Sequence, residues 1–137
     1  MPTIFEKLNL KDQPEILILN APASFEPELA ALQGVTIQRA VQAVNKISFS
    51  LAFVSRQQEV NDLAAAIAPK VQGDAVIWFA YPKGTSKKFK CEFNRDTGWE
   101  MLRQAGFEGV RMVAIDEDWS ALRFRRVEYI KSLMLKF

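Results

Sequence analysis

The sequence predicts a single three-layer α/β domain over residues 1–137: helices on both faces of a mostly parallel sheet of five to six strands, with one antiparallel edge strand, in a Rossmann-like or flavodoxin-like order. Three observations carry this expectation. Short apolar runs of strand length alternate with segments of helical spacing. The connections at 55–73 and 82–109 are long enough for parallel crossovers, which are almost always right-handed. No repeat, low-complexity tract or Pro/Gly/Ser linker divides the chain, and 137 residues suffice for one hydrophobic core.

The first dozen residues read as an arm that docks through Ile4, Phe5 and Leu8. Residues 15–19 form the first strand, and Asn20-Ala21-Pro22 turns the chain. Ser24 is placed to cap a short helix over 26–32, with Pro27 tolerated in its first turn and Gly34 ending it. Residues 35–38 make a short strand. Val41, Val44 and Ile47 have helical spacing, but 40–46 is too short to assign. A strong strand covers 47–54, and Ser55 caps the helix after it. There Val60, Leu63, Ala64, Ile67 and Val71 form one apolar stripe, stopped by Pro69 and Gly73. Residues 75–81 are apolar on both faces, as a central strand covered on both sides must be.

Thr97 and Glu100 have the spacing of a capping box that opens a helix through Gln104, closed by Gly106. A strand over 110–115, a charged turn at 116–118, an edge strand over 120–127 and an amphipathic terminal helix marked by Ile130, Leu133, Met134 and Phe137 complete the chain. The expected sheet has the first strand central, the second on one side and the third on the other. The last strand pairs antiparallel through the 116–118 turn. The topological switch then lies between the loops at Asn20 and Ser55, with the loop at Pro82 beside them. Ligands in open α/β sheets bind outside the carboxyl ends of the strands at such a point.

Absences narrow the chemistry. The chain has no histidine and one cysteine, Cys91. Ser-His-Asp and Cys-His machinery, the HExxH zinc motif and structural zinc sites are therefore out of reach. No metal is expected. The single cysteine excludes an internal disulfide and points to a reducing compartment, with the cytoplasm as the default. No apolar run approaches the ~20 residues of a membrane helix, and the amino-terminal residues turn polar too early for a secretory signal.

The net charge of +2 is unevenly spread: residues 1–80 carry six Lys/Arg against eight Asp/Glu, and residues 81–137 carry twelve against eight. The excess clusters at Lys83, Lys87, Lys88 and Lys90 and again at Arg123, Arg125 and Arg126. This asymmetry admits an anionic partner, small molecule or protein, but falls short of a dedicated nucleic-acid face.

The loop Lys83-Gly84-Thr85-Ser86-Lys87-Lys88 has the ingredients of an anion cradle: a glycine that lets backbone approach, hydroxyl and N–H donors, and lysines. It lacks the P-loop spacing, and Asn20-Ala21-Pro22-Ala23 lacks the glycine fingerprint of dinucleotide binders. No cofactor is expected. The competing account is a solvated loop whose lysines keep the protein soluble. The candidate ligand-binding set is Asn20, Ser55, Arg56, Lys83, Gly84, Thr85, Ser86, Lys87, Lys88 and Arg123. Phe89 and Phe93 among lysines suit single-stranded nucleic acid, or tuck the loop onto the core. Arg123 and Arg125 share a strand face, where they grip an anion or guard an edge. Arg95 and Asp96 stand where a helix starts, and Asp96 caps it more readily than it catalyses. Asp116, Glu117 and Asp118 read as a charged turn before they read as a catalytic carboxylate set. Cys91, without histidine, reads as a structural thiol.

Residues 77–88 (Ile77-Trp78-Phe79-Ala80-Tyr81-Pro82-Lys83-Gly84-Thr85-Ser86-Lys87-Lys88) and 116–126 (Asp116-Glu117-Asp118-Trp119-Ser120-Ala121-Leu122-Arg123-Phe124-Arg125-Arg126) resemble segments of a family of small bacterial proteins known as a domain of unknown function. The similarity extends over most of the chain, including 16–22 and 51–54. It implies a bacterial cytosolic α/β protein and brings no activity, cofactor or site residues.

The preferred expectation is a noncatalytic cytosolic binding or interaction protein, using the 82–97 loop for an anionic partner, with a homodimer possible through Leu133, Met134 and Phe137. The contrasting expectation is an enzyme acting on a phosphorylated or carboxylated small molecule. In it Lys83, Arg56 or Arg123 holds the anion, Asp116 or Asp118 acts as base, and a carboxylate approaches a lysine or arginine at a concave pocket. The third is weak single-stranded nucleic-acid binding through Lys87, Lys88, Lys90 and Phe89.

Overall fold

The computed structural model describes residues 3–94 and 97–130. Six strands form one sheet: β1 (Glu15–Leu19), β2 (Thr36–Gln38), β3 (Ile47–Phe53), β4 (Val71–Pro82), β5 (Phe107–Ala114) and β6 (Trp119–Arg126). Their order is β2-β1-β3-β4-β6-β5. The first four run parallel, and β6 is antiparallel to both β4 and β5. The mixed α/β class and the mostly parallel sheet follow the expectation; β1 lies between β2 and β3, but one place from the edge rather than at the centre. β6 also differs: it lies one place inside the edge and β5 forms the edge. Burial explains this. Trp119 and Ala121 face one core and Leu122 and Phe124 the other, so β6 needs neighbours and cover on both sides. β5 keeps Arg111, Met112 and Ala114 exposed, and its register slips between Gly109 and Arg111.

Each face of the sheet has its own core. On the first, Leu17, Leu19, Val54, Ile77 and Phe79 pack against Val60, Ala64 and Ile67 of α3 (Gln57–Ile67) and Leu102 of α4 (Glu100–Gln104). On the second, Ile16, Ile18, Phe49, Leu51, Phe53 and Trp78 pack against Phe5 and Leu8 at α1 (Ile4–Lys7) and Leu29 of α2 (Glu26–Ala30). Each such fully buried side chain contributes about 1.5–3 kcal/mol. The amino-terminal arm docks as expected, and the Trp78 indole donates to the Leu8 carbonyl at 2.7 Å.

Helix starts depart from the expected caps. Ser24 caps nothing: a 3-10 turn at Ala23–Phe25 leads into α2 without a side-chain cap. α3 begins after Arg56, because the Glu59 carboxylate reaches back to the N–H groups of Ser55 and Arg56. α4 starts after Trp99, not Thr97. Thr97 pairs instead with Asn94, whose Oδ1 accepts from the Thr97 N–H at 3.1 Å. Gly98, at φ 95°, then sends the chain inward so that Trp99 is buried among Phe79, Tyr81, Phe93 and Phe124. β4 begins at Val71 and runs through Gly73, earlier than the run 75–81 suggests. The expected terminal helix falls outside the described residues beyond Ile130, as do Arg95 and Asp96.

Candidate functional site

Parallel pairing sets the carboxyl ends of β1, β3 and β4 along one edge, so Asn20, Ser55, Arg56 and Lys83 all follow strand ends there. The switch falls between β1 and β3. Asn20 holds a left-handed backbone, φ 57°, which asparagine adopts more readily than other side-chain-bearing residues. Its Nδ2 donates to the Phe53 carbonyl at 3.3 Å and ties the two strand ends together. After Asn20 comes Pro22, which has no N–H, and then Phe25, buried with its ring centroid 5.0 Å from that of Phe53. Glu26, at the start of α2, holds Arg39 from the far end of β2 through two hydrogen bonds of 2.8 and 3.0 Å. This pair ties the loop after β1 to the loop after β2. The Arg39 guanidinium holds the Glu26 carboxyl below the usual carboxylate range.

The long loop after β4 is fastened at its neighbours. The Lys83 N–H donates to the Asp118 carbonyl at 2.8 Å, and Glu92 N–H to the Ser55 carbonyl at 2.9 Å. The Ser86 hydroxyl donates to Asp118 Oδ1 at 2.8 Å while accepting from the N–H groups of Lys88 and Phe89. Phe89 packs on Trp119 at 5.1 Å and Phe93 on Trp99 at 5.0 Å between centroids. These contacts hold open a cavity of about 370 Å³. Lys83, Gly84, Ser86, Lys90, Cys91 and Asn94 line it above Tyr81, Phe89 and Phe93.

The expected residues thus divide. Lys83, Gly84 and Ser86 share the cavity wall; Thr85, Lys87 and Lys88 are exposed on the same loop and do not line it. Asn20, Ser55 and Arg56 lie on the same sheet edge, outside the cavity. Arg123 is elsewhere, mid-strand in β6, opposite Trp78 on one side and Arg111 on the other. Asp116 is occupied in the turn, its Oδ1 accepting from the N–H groups of Asp118 and Trp119 at 2.8 and 2.9 Å. Asp118 is the carboxylate that reaches the cavity wall, through Ser86. Cys91 lines the cavity half-buried, and burial pushes its thiol pKa up, with Glu92 and Glu59 adding to the rise against a hydrogen bond from the Phe93 backbone. A raised thiol is a weak nucleophile at neutral pH.

Lys90, Cys91 and Asn94 were missing from the expected set. Their signal was present in the alternation of Lys88, Lys90 and Glu92 with Phe89, Cys91 and Phe93, which turns the rings under the loop. Phe93 is buried and Phe89 half-buried, so these rings support the wall rather than standing free for bases to stack on. No helix among the described residues is long and apolar enough to cross a membrane.

The chain matches no family model and no curated sequence. Among solved structures it is similar to a SAM-dependent methyltransferase from Aquifex aeolicus (13% identity, TM-score 0.61, covering 90% of this chain and 88% of that one). It is also similar to the ribosomal protein L11 methylase from Lactobacillus delbrueckii subsp. bulgaricus (10% identity, TM-score 0.56, covering 90% and 77%). A third is the pyocyanin biosynthetic protein PhzM (12% identity, TM-score 0.54, covering 90% and 54%), of whose length this chain spans about half. The expectation of a noncatalytic binding or interaction protein is corrected by these neighbours, whose architecture serves catalysis; the contrasting expectation of an enzyme agrees with them better. At these identities the likeness carries the fold alone: the chain has a Rossmann-like α/β fold.

Proposed function

We propose that the protein is a cytosolic enzyme acting on a small molecule that bears a phosphate or carboxylate group, bound in the cavity at the carboxyl end of β4. The observation that carries this reading is the approach of a carboxylate to a lysine-lined concavity: Asp118 is bonded to Ser86 on the wall that also presents Lys83 and Lys90. The two ammonium groups neutralise the anion. Asp118, with Asp116 committed to its turn, acts as base through the Ser86 hydroxyl, which passes its proton to Asp118 as it takes one from the substrate next to that anion.

The methyl donor used by enzymes of this fold is a poor match to the switch point of this chain. Its carboxylate needs exposed N–H donors, and its ribose diol needs an acceptor beyond β2. The first loop instead offers Pro22 and a five-residue α2 with Glu26 and Glu28 in its first turn. Arg39 beyond β2 is held by Glu26. No step of the proposed chemistry is routed through that donor.

The test is a calorimetric and thermal-shift panel of phosphosugars, nucleotides and small carboxylates, followed by mass spectrometry of the bound compound after incubation. We expect a binder whose affinity falls about tenfold or more in Lys83→Ala and in Lys90→Ala, a loss of ~1.4 kcal/mol or more each. Its conversion proceeds without S-adenosylmethionine and fails in Asp118→Asn. A silent panel, or binding indifferent to both lysines, overturns the site. Conversion only with the methyl donor present overturns the donor-free chemistry.

A further inference from the structure

The second cationic cluster of the chain, on β5 and β6, shares no residue with the cavity lining. β6 alternates, so Arg123 and Arg125 lie on the face that carries Trp119 and Ala121. The register places Arg111 of β5 directly across from Arg123. Directly opposed residues of an antiparallel pair share a face with Cβ atoms about 4.5–5.5 Å apart, and like charges there destabilise the sheet. Two acids lie beside the three arginines, and both are taken: Glu108, across from Arg125, pairs with Arg103, and Asp74 receives Arg125 bidentately, through Nε to Oδ1 at 2.8 Å and a second bond to Oδ2. Arg126 lies over the Phe107 ring at 4.9 Å and donates to the Ala68 carbonyl, so it takes no part.

Ser50 Oγ, Trp119 Nε1 and Arg123 Nε are buried without a partner among the described residues, and of the three only Arg123 is charged. It is half-buried, its Nε is sealed from solvent, and that N–H has no hydrogen-bond partner among the described residues. A buried donor left unmade costs about 1–3 kcal/mol, more when charged. Burial and the neighbouring Arg125 and Arg111 push its pKa down, against a lift from Asp74. Arg111 is exposed and makes no ion pair among the described residues. Two adjacent guanidiniums, one partly desolvated and carrying an unused fork, form the arrangement that bidentate recognition of an oxyanion requires.

We propose that Arg111 and Arg123 form a second anion site, on the sheet face that carries Trp119 and Ala121, that takes a phosphoryl group. The Asp74–Arg125 pair forms its fixed wall. One phosphoryl group bridging both arginines satisfies the buried Nε–H and cancels the repulsion across β5 and β6. The site is independent of the cavity, so a phosphorylated small molecule in one leaves the other open.

The experiment follows the Arg123 Nε–H resonance by ¹H–¹⁵N NMR while inorganic phosphate is added at constant ionic strength, with sodium chloride as the control salt. The expected result is a saturable shift of Arg123 Nε–H. Arg111→Gln weakens it about tenfold or more; Lys83→Ala leaves it unchanged. Arg111 is exposed, so Arg111→Gln keeps the fold, and without phosphate it raises Tm by about 1–3 °C by removing the like-charge pair. A linear drift matched by chloride, saturation that survives Arg111→Gln, or a lower Tm for that variant in phosphate-free buffer overturns the site.

Discussion

At the scale of the residue, glycine 98 decides how the cavity is closed behind its rim. Its φ of 95° is one that side-chain-bearing residues rarely adopt, and a Cβ there would fall 2.7 Å from the Phe93 Cβ and 2.8 Å from the Gln57 amide oxygen. Its carbonyl accepts from Gln57 Nε2 at 2.8 Å. Gly98→Ala therefore strains the backbone and displaces both partners, a loss of about 2–3 kcal/mol. Urea denaturation measures it; a variant within 0.5 kcal/mol of the parent, about the scatter of ordinary surface substitutions, would show that the turn relaxes freely. Single residues were also where the sequence was least legible. Ser55 and Thr97 are good caps by type, yet Glu59 and Asn94 claimed the local donors first. Asp116 and Asp118 look alike in sequence and differ only through which partner each meets across the turn.

At the scale of the element, the strands were legible because apolar runs needed cover on both faces, and the helix α3 because its stripe repeats at helical spacing. The position of β6 was hidden by its arginines, which suggested an exposed edge while its alternate residues were filling two cores. The cavity was legible in part: Lys83, Gly84 and Ser86 were marked by type, whereas Lys90 and Asn94 enter it only because the loop folds back onto Ser55 and Asp118. The link between β4 and β6 gives a pH signature. Hydrogen bonding and charge from Arg125 hold Asp74 below the usual carboxylate range. A carboxylate depressed on folding stabilises above its unfolded pKa of about 3.9 and loses that contribution as pH falls through the folded value. With the two side chains 32% and 35% exposed, solvent keeps the contribution small. In denaturant midpoints Asp74→Asn should differ most from the parent above that unfolded value and converge on it as pH falls through the lowered folded one; a gap that stays constant on acidification removes the ion pair as the cause.

At the scale of the molecule, the amino-terminal arm is a structural component of the second core. Trp78 lies fully buried beneath it and holds the Leu8 carbonyl. Trp78→Phe leaves that carbonyl unpaired and a void beside it, for a loss of about 2–4 kcal/mol. In thermal unfolding the arm and the sheet should melt together at a lower temperature. Two separate transitions would mean that the arm is secured by other contacts.

The margins of the sheet carry a last consequence. β2 offers only three residues, and β5 slips in its pairing with β6 near Gly109 and carries Arg111 exposed. A short margin and a kinked, charged one both refuse an incoming strand. Copies of this protein that meet at high concentration thus find, among the described residues, little backbone on either margin to join.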